Sequence, residues 1–304
     1  MSSAIEVASG PCAKTDVAHQ PMKAERNHHL ALRIPFPPMP TRNEILAVRS
    51  LRNKVDRYTE RKFVVEGQKC VTEALSSGWT IHGLYVTEGM EDAAWAGAER
   101  VSTKEMERMS QFKSAPGLLA VVGMPDSVDP TPAEWLQQQA GPPFTLALDG
   151  LSDPGNVGTI IRTADWFGIP GIWAARGGVD RFNQKVVQAS MGAIFRVGVW
   201  EVDLPNALED MAACGIRTVA LAMDGPSLWN ESAPERPHEK WLGVVGSESH
   251  GLSPQVAEAC SDSLHIPGGG GSESLNAAVA AAMVLGHWTS KREGQASTGP
   301  ETSR

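Results

Sequence analysis

The stretch DGLSDPGNVGTIIRTA, residues 149–164, decides how this chain is read. The apolar run Thr145 to Leu148 leads into it, and the polar turn Asp153-Pro154-Gly155-Asn156 ends that run. Beyond the turn, Val157, Ile160, Ile161, Ala164 and Phe167 share one stripe of a helix that Gly168 closes. Two later stretches repeat the plan of an apolar strand followed by glycine and a few polar residues. They are VGSESHGL, residues 245–252, behind the strand Leu242 to Val245, and IPGGGGSESLN, residues 266–276, behind the strand Leu264 to Ile266.

Outward from these stretches the second half alternates. Gly171 to Ala174 and Arg217 to Ala222 read as strands; Lys185 to Ile194, Pro254 to Cys260 and Leu275 to Trp288 read as helices. Apolar strands alternating with helices predict an α/β fold with a mostly parallel sheet covered on both faces. Ligands in such sheets bind at the carboxyl ends of the strands, and all three stretches begin there. In the first half, helical spacing runs from Val64 to Leu75 and Gly78 ends it; Ile81 to Val86 and Leu118 to Val122 read as strands, the latter after the turn Ala115-Pro116-Gly117. The expected organisation is a disordered extension over 1–40, a small α/β domain over 41–124 and a proline-rich linker over 125–143. A larger domain over 144–290 and a loose tail over 291–304 follow.

No apolar run reaches the ~20 residues that span a bilayer, and the first residues lack an apolar signal core, so a cytoplasmic protein is expected. Cys12, Cys70, Cys214 and Cys260 are widely separated and show no metal-ligand spacing. The net charge is -8, yet residues 41–69 carry eight Lys/Arg against four Asp/Glu. That local excess is either a solvated helical face or a phosphate-binding patch.

Singly, each motif residue has an ordinary explanation. Asn156 reads first as a helix cap, and Ser274 or Asn276 as helix-entry residues. Arg162 reads as a surface ion-pair partner, although its apolar neighbours suit an Arg that meets an anionic or oxygen-rich ligand. Glu248 is a turn residue or an acceptor for a ribose or amine, and His250 reads as a loop residue. The glycine run 268–271 lacks the Lys of a phosphate-binding loop, which excludes nucleoside triphosphate binding by that motif. The turn after Leu148 lacks the Gly-x-Gly-x-x-Gly spacing of a dinucleotide-dependent oxidoreductase.

Taken together and in order, the three stretches resemble the signature motifs of the SpoU/TrmH family of RNA ribose 2'-O-methyltransferases. The runs Arg49 to Lys54, Phe63 to Gly67 and Lys185 to Ala193 extend the likeness. The resemblance implies a C-terminal trefoil knot, S-adenosylmethionine as cofactor, and a homodimer through the knotted domain. It also implies a small N-terminal substrate-binding domain similar to a ribosomal-protein RNA-binding fold. By position it implies catalytic roles for Arg162, Asn156, Glu248, Ser274 and Asn276, and cofactor contacts at Gly246, Ile266 and Leu275. Arg49, Arg52 and Lys54 are the candidate RNA-binding residues, and no metal is called for. The substrate class so implied is structured RNA, ribosomal RNA before transfer RNA, with a non-catalytic RNA-binding scaffold as the competing class. The glycine run departs from the family's more usual pattern, in which a Met often stands.

Overall fold

The computed structural model describes residues 40–90, 95, 97–126, 130–131, 134–135, 143–230, 240–271 and 274–296. The expected N-terminal extension (but for Pro40), most of the linker and the end of the tail lie outside the described residues.

The first sheet holds β1 (Lys62–Glu66), β2 (Ile81–Thr87), β3 (Glu99–Val101) and β4 (Leu118–Gly123) in the order β1-β4-β2-β3. Strand β4 runs antiparallel to both neighbours, and β2 and β3 are parallel. Helices α1 (Arg42–Ser50), α2 (Lys54–Glu60), α3 (Gln68–Ser76) and α4 (Thr103–Met109) accompany it. Thr41 and Glu44 form a reciprocal capping box at the start of α1.

One expectation fails here. Val64 and Val65 belong to a strand and not to the helix predicted over Val64 to Leu75. Phe63, Val64 and Val65 are buried on both faces of β1, so their periodicity carries no information and their β-branching wins. Gly67, at φ +84°, turns the chain into α3.

The second sheet is parallel throughout, in the order β10-β8-β9-β5-β6-β7. Its strands are β5 (Phe144–Leu148), β6 (Gly171–Ala175), β7 (Gly198–Val202), β8 (Arg217–Leu221), β9 (Trp241–Val245) and β10 (Asp262–Leu264). Helices α5 (Pro154–Trp166), α6 (Gln184–Ser190), α7 (Leu204–Ala213), α8 (Pro254–Ala259) and α9 (Ala277–Ala296) connect and cover them. The helix expected over Lys185 to Ile194 is broken. Met191 (φ 52°) and Gly192 (φ 94°) are left-handed, and a 3-10 turn, Ala193–Phe195, follows. Gly192 packs so closely against the Glu73 side chain that a Cβ there would lie 2.4 Å from its Cγ. The strand expected over Leu264 to Ile266 ends at Leu264. Helix α9 runs on to Ala296, past the point where the tail was expected to begin.

One apolar cluster joins the two sheets. Phe63 of β1 stacks on Phe182 with ring centroids 4.7 Å apart, and Trp79 meets Phe195 edge-on at 5.3 Å. A second cluster, built on Trp173, Trp200, Leu208 and Met211, covers the opposite face of the parallel sheet. Helix α9 closes the near face through Trp288, which packs edge-on against Trp241 at 5.4 Å.

Helices α5 and α6 touch at Gly158. A Cβ there would lie 2.6 Å from both the Ala189 Cβ and the Val186 carbonyl oxygen. Neither atom can swing aside, so Gly158→Ala forces the helices apart. We expect a loss of about 1–3 kcal/mol, read as a lower denaturant midpoint with an unchanged m-value.

Candidate active site

Three loops meet at the carboxyl ends of the parallel strands. Strands β5 and β9 are neighbours, with Leu148 paired to Val245, so the first and second motifs leave the sheet side by side. The Asp149 backbone N–H donates to the Val245 carbonyl at 2.9 Å. Its buried carboxylate accepts from the Ser253 N–H at 2.6 Å, which ties the far end of the second motif to the first. Asp149 was absent from the sequence-based candidates; its only signal was its place at the strand end. It also bears on Cys260, whose thiol is pushed up to about 11 by burial first and the Asp149 charge second. Cys70, Cys214 and Cys260 are free thiols.

The second motif closes on itself. Ser247 and Gly251 exchange backbone hydrogen bonds of 2.9 Å each way, and Gly251 sits at φ +67°. Gly246 is packed directly beneath Gly251 and Leu252. The third motif leaves β10 beside the loop that follows β8. The Leu228 N–H donates to the His265 carbonyl at 2.8 Å, and the His265 N–H to the Pro226 carbonyl at 3.0 Å. Ile266 is half-buried against the main apolar cluster, while Leu275 is exposed.

Asn156 does not cap α5. Asp153 does, its carboxylate accepting from the Asn156 N–H at 2.8 Å, with Pro154 at the first helical turn. The Asp-Pro pair was the available signal, because Pro favours the position just inside a helix start. With the cap filled by Asp153, the Asn156 side chain reaches the other two motifs. Its Nδ2 donates to Glu248 Oε1, and its Oδ1 accepts from Asn276 Nδ2 at 2.9 Å. Asn276 in turn caps α9, its Oδ1 accepting from the Ala278 and Val279 N–H groups at 3.0 and 3.2 Å. The orientation of both amides follows from chemistry. A carboxylate only accepts and a helix start only donates, so one arrangement satisfies the whole chain.

Beside this network lies an open groove of about 440 Å³, lined by Asn156, Thr159 and Thr163 of α5, by the cap residue Asn276, and by Val279 and Met283 of α9, among others. Arg162 is next to Thr163 but does not line the groove. Six residues at about 100° each place it about 120° around the helix from Asn156. It is exposed, and among the described residues no hydrogen bond or ion pair holds its guanidinium. Ser274 is exposed two residues before the Asn276 cap. Within one chain, then, Asn156, Glu248 and Asn276 come together, and Arg162 lies further along α5, outside that network.

The basic segment is less available than its charge count suggests. Arg57 is buried in an ion pair with Asp180. Arg61 pairs with Asp126 at 2.9 Å and Lys69 with Glu73 at 2.6 Å. The Arg52 guanidinium donates to the Ser110 carbonyl. Arg49 and Lys54 are exposed, Lys54 lying 5.6 Å from the centre of the Tyr58 ring. Among the described residues no group of three or more His, Cys, Asp or Glu is placed to hold a metal.

Comparisons with known proteins give the family. Residues 143–286 match the model of the SpoU rRNA Methylase family, and residues 42–120 that of the MRM3-like substrate binding domain. A solved structure of a TrmH-family protein from Porphyromonas gingivalis is 38% identical, with a TM-score of 0.70 over 82% of this chain and 98% of its own. The SpoU methyltransferase AviRb from Streptomyces viridochromogenes, solved with AdoMet, is 26% identical, with a TM-score of 0.69 over 84% of this chain and 99% of its own. The Bacillus subtilis (strain 168) 23S rRNA (guanosine(2553)-2'-O)-methyltransferase RlmP is 28% identical over 79% of this chain and 93% of its own.

The fold and the family match define a methyltransferase of the SPOUT class. Within that class the chain belongs to the SpoU/TrmH family of S-adenosylmethionine-dependent RNA methyltransferases. The residues present suit that cofactor. Gly246 brings backbone close to backbone at the β9 end, where a Cβ would fill the space. Leu275 offers an exposed apolar side chain in the third motif.

Proposed function

We propose that this enzyme methylates a ribose 2'-hydroxyl in structured RNA, with ribosomal RNA as the substrate. One observation carries the reading: the Asn156 side chain bonds at once to Glu248 of the second motif and Asn276 of the third. Those partners lie 92 and 120 residues away in sequence. A structural cap needs no such convergence; a site that must orient a ribose against a cofactor does.

S-adenosylmethionine, when bound, supplies an electrophilic methyl group on a good leaving group. In this reading the backbone at Gly246, Ile266 and Leu275 holds its adenosine part. Asn156, Glu248, Ser274 and Asn276 orient the ribose and the methionine end. Arg162 stabilises the negative charge that develops on the 2'-oxygen and steers the adjoining phosphate. It does not take the proton itself, since a guanidinium with a pKa above ~12 is almost never neutral.

Val279 and Met283 give the α5–α9 groove an apolar side, and Trp166 is exposed at the end of α5. A second copy covering that face supports a homodimer in which Arg162 serves the partner's site. The close pairing of the 225–228 segment with His265 is consistent with the family's knot. Residues 41–124 form the substrate-binding domain and 144–290 the catalytic one. No helix of the described residues is long and apolar enough to cross a membrane; we place the enzyme in the cytoplasm.

The test is methyl transfer from labelled S-adenosylmethionine to fractionated RNA from cells lacking the gene. Label is expected in ribosomal RNA at a ribose. Label confined to transfer RNA changes the substrate, and a folded, cofactor-binding protein that labels neither is the non-catalytic scaffold.

A second expectation concerns the basic turn. Arg49→Glu combined with Lys54→Glu should weaken RNA binding and flatten its dependence on salt. Each lost phosphate contact removes about 0.7–0.9 from the log–log slope. Cofactor affinity, measured by calorimetry, should not change. Arg52 is left in place because its bond to the Ser110 carbonyl gives it a structural role as well.

A further inference from the structure

Arg57 and Asp180 lie 123 residues apart in sequence and meet in the interior, with side chains only 4% and 5% exposed. The guanidinium is almost fully used. Its Nε donates to Asp180 Oδ2 at 3.0 Å, and Nη2 donates to the same oxygen. Its Nη1 donates to the Leu51 and Arg52 carbonyls at 2.9 and 2.8 Å. The second carboxylate oxygen of Asp180 accepts from the Tyr58 hydroxyl at 2.9 Å and from the Phe182 N–H at 3.1 Å.

The ends of this network matter more than its strength. The Leu51 and Arg52 carbonyls belong to the turn between α1 and α2, flanked by the exposed Arg49 and Lys54. Asp180 belongs to the loop after β6, and that loop touches the first motif where the Val179 N–H donates to the Leu151 carbonyl at 3.3 Å. A second path runs parallel. Arg52 donates to the Ser110 carbonyl, the Ser110 hydroxyl donates to Glu66, and Glu66 accepts from Gln184 Nε2 at 3.2 Å, at the far end of the same loop. A buried ion pair contributes little net stability over an apolar pair of the same volume, but its directed bonds admit one geometry only.

We propose that the Arg57–Asp180–Tyr58 clasp is a positioning device that holds the basic turn in fixed register with the methyl-transfer site and so selects which nucleotide is methylated. The proposal rests on the methyltransferase reading above. None of the three residues need touch the reacting atoms; they act through the turn and the loop that they join.

The experiment compares Asp180→Asn, Arg57→Lys and Tyr58→Phe in the full chain. It maps 2'-O-methylated positions on the same RNA, with cofactor affinity and the melting temperature measured alongside. The unmodified chain should favour one nucleotide. In Asp180→Asn the ratio of that position to its neighbours should fall by about tenfold or more, with a raised KM for RNA and an unchanged affinity for S-adenosylmethionine, because a small misplacement of the acceptor is costly. Arg57→Lys should not rescue the ratio, since an ammonium cannot span the carboxylate and two carbonyls together. Tyr58→Phe loses one bond and should shift the ratio in the same direction by less.

A purely structural role would lower the melting temperature of each variant and leave the ratio intact; that result overturns the proposal. If Asp180→Asn does not fold, Tyr58→Phe and Gln184→Ala decide by the same ratio. Absence of transfer by the unmodified chain defeats the methyltransferase reading itself, whereas a normal pattern in folded, active variants defeats only the clasp.

Discussion

Arg162→Ala should lower the rate of methyl transfer by a factor of about 10²–10³ and leave the affinity for S-adenosylmethionine unchanged. Arg162 is exposed on α5, and among the described residues no hydrogen bond or ion pair holds its guanidinium, so its removal breaks no polar contact of the fold. A stability role therefore predicts a silent mutation. A transition-state role predicts a fall in kcat with little change in the melting temperature. Arg162→Lys keeps the charge but loses the planar fork, and should recover only part of the rate. Because Arg162 does not line the groove beside Asn156, the homodimer reading adds a further result. Mixing inactive Arg162→Ala and Asn276→Ala chains should restore some activity, since one of the two mixed sites is then intact. Near-normal turnover by Arg162→Ala alone would remove this residue from the mechanism.

The second large effect is expected at Gly246. A Cβ there would stand 2.3 Å from the Gly251 carbonyl carbon and 2.5 Å from the Leu252 nitrogen. These are backbone atoms of a loop closed by the paired Ser247–Gly251 bonds, so the loop must open to admit a methyl group. Gly246→Ala should therefore destabilise the chain by about 1–3 kcal/mol. It should also abolish measurable cofactor binding, because the displaced loop is the one that would hold the cofactor. Gly268→Ala is the matched control. Nothing lies within 4 Å of a Cβ at that position, and neither stability nor binding should change appreciably. Equal effects at the two glycines, followed by denaturation and calorimetry, would show that the loop after β9 does not form the pocket.

Much of the catalytic half is legible in the sequence. The parallel strands β5, β6, β8 and β9 stand within a residue or two of their expected places, since buried parallel strands read as short apolar runs between turn residues. Legibility failed where one local pattern served two ends. Val64 and Val65 fit a helical stripe as well as a strand, and only burial on both faces decided between them. The helix through Met191 stops early at left-handed Met191 and Gly192, where Glu73 of α3 packs against Gly192. The basic run of residues 41–69 read as free positive charge until Arg57 was found inside the protein with Asp180.

By itself, then, the sequence determined the α/β alternation, the parallel sheet and the three strand-end motifs, because these follow from hydrophobic spacing and turn chemistry among near neighbours. Tertiary structure alone decided that Asn156 joins Glu248 and Asn276, and that Arg57 is structural while Arg49 is exposed. The physical reason is range. A side chain's role is set by the partners that meet it in space, and here those partners come from parts of the chain that no local pattern connects.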